Sequence, residues 1–172
     1  IFSNTFKLAP GTILIANRKN EINIETYWDF QENVKVGLNS QSKLPKKELI
    51  EQTKTILTNS VKQQMVSDVP LGTLLSGGID STLITASANE LSSKAIKTFT
   101  IGFDQKGFDE APYARKIATH LGTEHTELYA TSEDAINLAK KMPEIYDEPF
   151  ADSSQIPTAL LCSLTKREVT VV

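Results

Sequence analysis

The pattern of apolar and polar positions changes character along this chain. Thr12-Ile13-Leu14-Ile15-Ala16 is rich in β-formers, and Ile22-Asn23-Ile24-Glu25-Thr26-Tyr27-Trp28 alternates loosely. The polar run Asn17-Arg18-Lys19-Asn20-Glu21 separates them, and Leu8-Ala9-Pro10-Gly11 is a turn in front. This predicts an antiparallel hairpin. Residues 31–44 are polar and rich in serine and asparagine, the composition of a linker. Beyond Pro45, which sits as a first helical residue, Leu49, Ile50, Thr53, Ile56, Leu57, Val61 and Met65 recur at helical spacing. Lys46, Lys47, Glu51, Lys54 and Lys62 fall on the other face, so the pattern predicts an amphipathic helix over 45–67.

From Asp68 onward strands and helices alternate. Strands are expected over 69–75, 96–103, 125–129 and 168–172. Helices are expected over 80–91, from Asp109-Glu110 to a stop at Gly122, from Thr131 to 141, and from Ser153 or Ser154 to Lys166. Thr131 and Asp134 stand at capping-box spacing. Met142 to Asp152 reads as an acidic loop bearing a proline. Apolar, β-branched strands alternating with helices predict an α/β fold: a parallel twisted sheet with helices on both faces, preceded by the small hairpin.

Composition then removes some function classes. A chain of 172 residues can bury a sizeable core. A net charge of -3 gives no basic footprint, so nucleic acid is not an expected partner. No apolar run approaches the roughly 18 residues a membrane span requires. Nothing at the amino end resembles a secretion signal, and a cytoplasmic setting is expected. Cys162 is the one cysteine, which excludes an internal disulfide; within Leu160-Leu161-Cys162-Ser163-Leu164 it reads as a core residue. His120 and His125 lack a further ligand and are not read as a metal pair. The chain opens on Ile1 and closes on the strand pattern 168–172, so both ends look cut and a longer parent is expected.

The chemistry concentrates at Leu74-Leu75-Ser76-Gly77-Gly78-Ile79-Asp80-Ser81. An apolar strand pattern stops at a double glycine, and a helical pattern starts. Glycines admit an anion close to the backbone, and free amides at a helix start point toward it. Ser76 and Ser81 add hydroxyls, and Asp80 a carboxylate for a metal ion. Spacing removes three familiar readings. A Walker loop needs a lysine after its last glycine, and Gly78 is followed by Ile79-Asp80. Gly72, Gly77 and Gly78 do not fit the Rossmann fingerprint. A nucleophile elbow needs a glycine where Leu74 stands.

Ser-Gly-Gly-x-Asp-Ser after a strand resembles the pyrophosphate loop of the ATP pyrophosphatases. The surrounding words resemble the glutamine-dependent asparagine synthetases in particular. They are Val69 to Ser81; Thr98-Phe99-Thr100-Ile101-Gly102-Phe103 with Phe108-Asp109-Glu110; His120 to His125; and Tyr146-Asp147-Glu148-Pro149-Phe150-Ala151-Asp152-Ser153-Ser154. Residues 8–28 look like the last hairpin of that family's glutaminase domain. The resemblance implies three parts: a glutaminase remnant over 1–30, a linker over 31–44, and a truncated ATP pyrophosphatase domain over 45–172. It implies a five-stranded sheet of which four strands are present, in order 3-2-1-4. Ser76, Gly77, Gly78, Asp80 and Ser81 would bind the pyrophosphate of ATP, with Asp80 catalytic and holding Mg²⁺. Leu74 and Ile101 match positions that flank adenine, although both also fit as plain core residues. Gly102 would let the nucleotide approach the backbone, or else mark a bulge. Asp147, Glu148 and Asp152 would contact the substrate, or form a solvated acidic loop. The implied reaction joins aspartate, ATP and ammonia from glutamine. The implied partners are the glutaminase domain and the carboxyl-terminal half of the same protein, with a homodimer left open. The family's nucleophilic cysteine, its second glycine-rich acidic word and its catalytic lysine are not in this sequence, so the piece alone is expected to be inactive. Two alternatives stay open: an amidotransferase acting on another carboxylate, and a nucleotide-binding module without synthetase activity.

Overall fold

The computed structural model describes residues 3–103, 109–148 and 152–172. Phe108 and Pro149, Phe150 and Ala151 of the quoted words lie outside the described residues. The chain forms two compact units, Ile1–Leu49 and Ile50–Val172.

In the first unit, β1 (Thr12–Ala16) and β2 (Ile22–Thr26) pair antiparallel as expected, with Leu14 opposite Ile24 and Ala16 opposite Ile22. Asn17 Oδ1 shapes the turn by accepting from the amides of Lys19 and Glu21 at 2.9 and 3.1 Å. The expected linker is instead mostly helix: α1 spans Phe30–Asn39. Asp29 caps it by accepting from the Glu32 amide at 2.9 Å. Phe30, Val34 and Leu38 recur every fourth position, a stripe that the surrounding polar composition masks.

α2 (Lys46–Gln64) carries the predicted amphipathic pattern, but Val61 is its one buried residue; Leu49, Ile50 and Ile56 are exposed. Val61 packs with Ala88 and Ile96, flanked by Met65 and Leu91. The alternating elements then follow: β3 (Gly72–Leu74), α3 (Ile79–Leu91), β4 (Lys97–Phe103), α4 (Ala111–Leu121), β5 (Glu124–Ala130), α5 (Ser132–Ala139), α6 (Met142–Ile145) and α7 (Gln155–Thr165). α4 stops at Gly122, whose φ of +70° is the left-handed cap glycine tolerates. α5 starts with the expected capping box between Thr131 and Asp134.

β3, β4 and β5 form a parallel sheet in that order, with Leu74 opposite Phe99 and Gly102 opposite Tyr129. On the free side of β3, Leu71 bridges Val171 in parallel, and the Gly72 amide donates to the Val171 carbonyl at 2.9 Å. The expected 3-2-1-4 order is therefore present. The fourth strand, however, is a single bridge rather than 168–172, and β3 is shorter than 69–75. Pro70 has no amide to give a ladder, and its carbonyl accepts from Thr170 instead at 3.2 Å.

Side chains alternate across the sheet. Leu75 packs on one face with Ala114 and Ala118 of α4, and Thr73 meets Thr85 of α3 at 3.1 Å. Phe99, fully buried, packs on the other face with Leu161 of α7 and Val169. Right-handed crossovers explain this division. The chain steps from β3 to β4 to β5 in one direction, which keeps α3 and α4 together, and then returns past β3 with α7 on the opposite face. Two further expectations change. The loop from Met142 contains the short helix α6, and Cys162 is exposed rather than core. α7 buries Ala159, Leu160, Leu161 and Thr165; a continuous apolar run gave no period from which to choose its buried face.

Candidate functional site

The reversal of strand order at β3 defines where a ligand would sit. In open parallel sheets the crevice forms at the carboxyl ends of the strands, where the order switches direction. The turn from Ser76 to Gly78 occupies that place. Leu75 is anchored below it, 1% exposed, its amide donating to the Phe99 carbonyl at 2.8 Å. Gly78 is the N-cap of α3 and provides no side-chain cap. The amides of Gly77, Ile79, Asp80 and Ser81 find no protein acceptor among the described residues, which leaves them for an anion.

The two serines brace the turn. Ser76 Oγ and Ser81 Oγ lie 2.9 Å apart, and the amides of Ser76 and Gly78 donate to Ser81 Oγ and Ser76 Oγ, each at 3.3 Å. Thr82 Oγ1 donates to the Gly78 carbonyl at 2.6 Å. Gly77 has φ of +87°, and a Cβ there would stand 2.8 Å from Tyr113 Cβ and 3.1 Å from the Ala114 amide nitrogen. The first turn of α4 thus backs the loop directly. Asp80 lies in the first turn of α3, exposed, and accepts no hydrogen bond among the described residues. Among them no group of three or more His, Cys, Asp or Glu could hold a metal. A lone carboxylate beside open amides still fits Mg²⁺, which takes one or two carboxylates together with substrate phosphates.

The structure brings Leu74 and Ile101 together on the α7 face, partly buried against Phe99, Leu161 and Val169. Gly102 sits in regular register opposite Tyr129, with no bulge. A Cβ there would lie 2.5 Å from Tyr129 Cε1 and 2.9 Å from Asp109 Oδ1. The ring of Tyr129 therefore uses the space that the glycine leaves. Asp147 and Asp152 are exposed and Glu148 is half-buried. Asp152 accepts from the Ser154 amide at 2.8 Å, and this bond holds its carboxyl below the usual range.

One cluster escaped the sequence reading. Arg115 of α4 grips Glu127 of β5 with two nitrogens, and Tyr129 donates its hydroxyl to the same carboxylate at 3.1 Å. The guanidinium, with the tyrosine behind it, holds Glu127 below the usual carboxylate range. Behind Glu127, the Nδ1 of His125 lies 2.9 Å from Thr98 Oγ1, which also meets Thr123 Oγ1 at 2.9 Å. His125 Nε2 is buried without a hydrogen-bond partner among the described residues, 3.9 Å from Glu127, and burial pushes the imidazole pKa down. The sequence carried one signal: His125, Glu127 and Tyr129 alternate on one strand face.

The fold and the loop define a class: open parallel α/β proteins with a glycine turn between the first sheet strand and its helix. The profile described as asparagine synthase matches residues 52–172, and the chain belongs to that family. Glutamine-hydrolyzing asparagine synthetase 2 of Methanocaldococcus jannaschii is 37% identical over 174 residues, which cover 100% of this chain and 32% of that protein. Glutamine-hydrolyzing asparagine synthetase 1 of Bacillus subtilis is 34% identical, covering 96% of this chain and 25% of its own length. Amidase chyE of Penicillium rubens is 30% identical, covering 91% and 24%. The chain thus spans a third or less of these curated relatives. Among solved structures, an NH3-dependent NAD synthetase from Campylobacter jejuni matches with a TM-score of 0.44 at 15% identity, over 73% of this chain and 54% of that one. No helix among the described residues is long and apolar enough to cross a membrane.

Proposed function

We propose that this chain is the ATP-activating part of an amide ligase that makes asparagine from aspartate. The observation that carries the reading is the turn from Ser76 to Ser81, open amides and braced hydroxyls at the switch point of the sheet, in a chain of the asparagine synthase family. In this reaction the amides of Gly77, Ile79, Asp80 and Ser81, with the hydroxyls of Ser76 and Ser81, hold the β- and γ-phosphates of ATP. The side-chain carboxylate of aspartate attacks the α-phosphorus and the bond to pyrophosphate breaks, leaving β-aspartyl-AMP. Ammonia from glutamine then displaces AMP. Leu74 and Ile101 flank the adenine, Gly102 offers its backbone to the nucleotide, and Asp147, Glu148 and Asp152 contact the acceptor substrate. Asp80 would hold Mg²⁺, which when bound neutralises charge on the departing pyrophosphate. The glutaminase domain and the remaining carboxyl-terminal part of the synthetase complete the enzyme, in the cytoplasm where ATP is supplied.

Pyrophosphate release in the full-length protein that carries this chain, given ATP, aspartate and ammonia, tests the reading. Asp80→Ala is expected to lower it by about a thousandfold, the scale for removing a group that stabilises developing charge. Unchanged release sinks the role of Asp80. A second reading, amidation of a different carboxylate, rests on the spread of names among the relatives: one at 30% identity is called an amidase and not an asparagine synthetase. A panel of carboxylate acceptors, with the amide product read by mass, separates the two.

A further inference from the structure

We propose that Glu127 and Arg115 are positioning residues for the phosphate loop, acting through the first turn of α4. The inference rests on the reading of that loop as the ATP site.

The loop does not hold its own back wall. Gly77 is pressed against Tyr113 and Ala114, where an added Cβ would stand 2.8 Å from Tyr113 Cβ and 3.1 Å from the Ala114 amide nitrogen. The place of Gly77, and hence the aim of its amide, follows the place of that turn. Ala111, Ala114 and Ala118 seat α4 with small, buried side chains that offer no polar anchor. The anchor within reach is Arg115, the residue after Ala114. Both of its bonding nitrogens go to Glu127, which stands on β5 with its side chain 14% exposed. A two-pronged guanidinium–carboxylate grip fixes direction as well as distance. Glu127 is held in turn by the hydroxyl of Tyr129, whose ring fills the notch at Gly102. Asp109 Oδ1 tethers the same helix start by accepting from the Ala111 amide at 3.1 Å. The chain of contacts runs from β5 through Glu127 and Arg115 to Tyr113, Ala114 and the loop. Helix position along the sheet is thereby set from outside the core, where a sliding helix would otherwise carry the loop with it.

The consequence is selective. Loosening the grip misplaces the amides that meet phosphate, and it leaves the acceptor's contacts alone. The test uses the full-length protein that carries this chain, with pyrophosphate release titrated separately in ATP and in aspartate, and ATP binding measured directly by calorimetry. Glu127→Gln is expected to raise the ATP KM by about tenfold, while the aspartate KM moves less than about twofold, in line with the cost of small misplacements at a reacting centre. Arg115→Lys, which keeps the cation but not the two-pronged geometry, is expected to give about a threefold rise. Tyr129→Phe keeps the grip and is the milder control, within about twofold. The inference is overturned by Arg115→Lys and Glu127→Gln proteins with wild-type ATP KM, or by variants whose two KM values rise together. A wild-type protein that neither binds ATP nor releases pyrophosphate removes the underlying reading as well, and calorimetry on the wild type distinguishes that case.

Discussion

The turn after β3 and the acidic residues Asp147, Glu148 and Asp152 both supply candidate site groups, and their described surroundings differ. The turn is held on every side: Leu75 below, a net of Ser76, Ser81 and Thr82 within, and the first turn of α4 behind. Asp147 and Asp152 are exposed, and Asp152 spends its carboxylate on the nearby Ser154 amide. A phosphate cradle must offer several donors at fixed spacing before its ligand arrives, so its geometry has to be stored in the fold. A carboxylate that meets an ammonium group needs charge more than direction. The difference teaches which substitutions will act through geometry and which through charge.

After the loss expected for Asp80→Ala, the largest effect comes from the position that geometry controls most strictly. Gly77→Ala places a Cβ on a residue with φ of +87°, against backbone and Cβ atoms that cannot move aside cheaply. The left-handed conformation alone costs roughly 1–2 kcal/mol for an alanine, and the contact with α4 adds to it. Pyrophosphate release is expected to fall by about a hundredfold or more, with a lower melting temperature. Gly78→Ala makes the sharper comparison. Its φ of -72° suits any residue, and among the described residues an added Cβ would meet Ser76 Oγ alone, at 3.3 Å. A smaller loss, within about tenfold, is expected there, since one side-chain oxygen can shift. Equal losses at both glycines would erase the contrast.

How much of this was legible in the sequence divides along the same line. Local signals were readable: the turn at Ser76-Gly77-Gly78, the stop at Gly122, the capping box at Thr131, and the alternation that makes a parallel sheet. α1 was missed because serine and asparagine around it mask the spacing of Phe30, Val34 and Leu38. The exposure of Cys162 was missed because Leu160-Leu161-Cys162-Ser163-Leu164 shows no period. Arg115 and Glu127 were missed for a deeper reason. They are 12 positions apart, on a helix and a strand that only the crossover brings together. The packing at Gly102 was missed for the same reason, because the ring that uses its missing Cβ comes from β5.

The acidic stretch gives the next prediction. Asp147→Asn and Asp152→Asn keep size and remove charge. Each is expected to raise the aspartate KM by about fivefold and leave the ATP KM within about twofold, the range for one exposed charge contact. A rise in the ATP KM instead would move these residues to the phosphate side of the site and end the division of labour between the two regions.

The smallest effect concerns His125, behind the Arg115–Glu127 grip. Burial lowers its pKa, opposed by the nearby Glu127 charge and assisted by Arg115. The folded protein therefore binds fewer protons at this site than the unfolded chain, and stability rises with pH wherever that holds. The contribution is complete above the ordinary value of 6.5, and it is lost as pH falls through 6.5 toward the lower folded value. Glu127 acts in the same direction in a separate and more acid window, below its ordinary 4.5, because Arg115 stabilises its charged form. Thermal melting between pH 7.5 and about 5 should show the first window alone, and His125→Asn should flatten it while leaving the loss near pH 4 in place. Burial decides the direction: Nε2 is enclosed and has no hydrogen-bond partner among the described residues, and the Arg115 charge adds to the cost of a proton, which outweighs the pull of Glu127 and of the Thr98 contact. A melting curve of the His125→Asn protein that still falls between pH 7 and 5 as steeply as wild type would place the titrating group elsewhere. The polar layer behind α4 would then be passive to acid, and its part in holding the loop would rest on Glu127 and Arg115 alone.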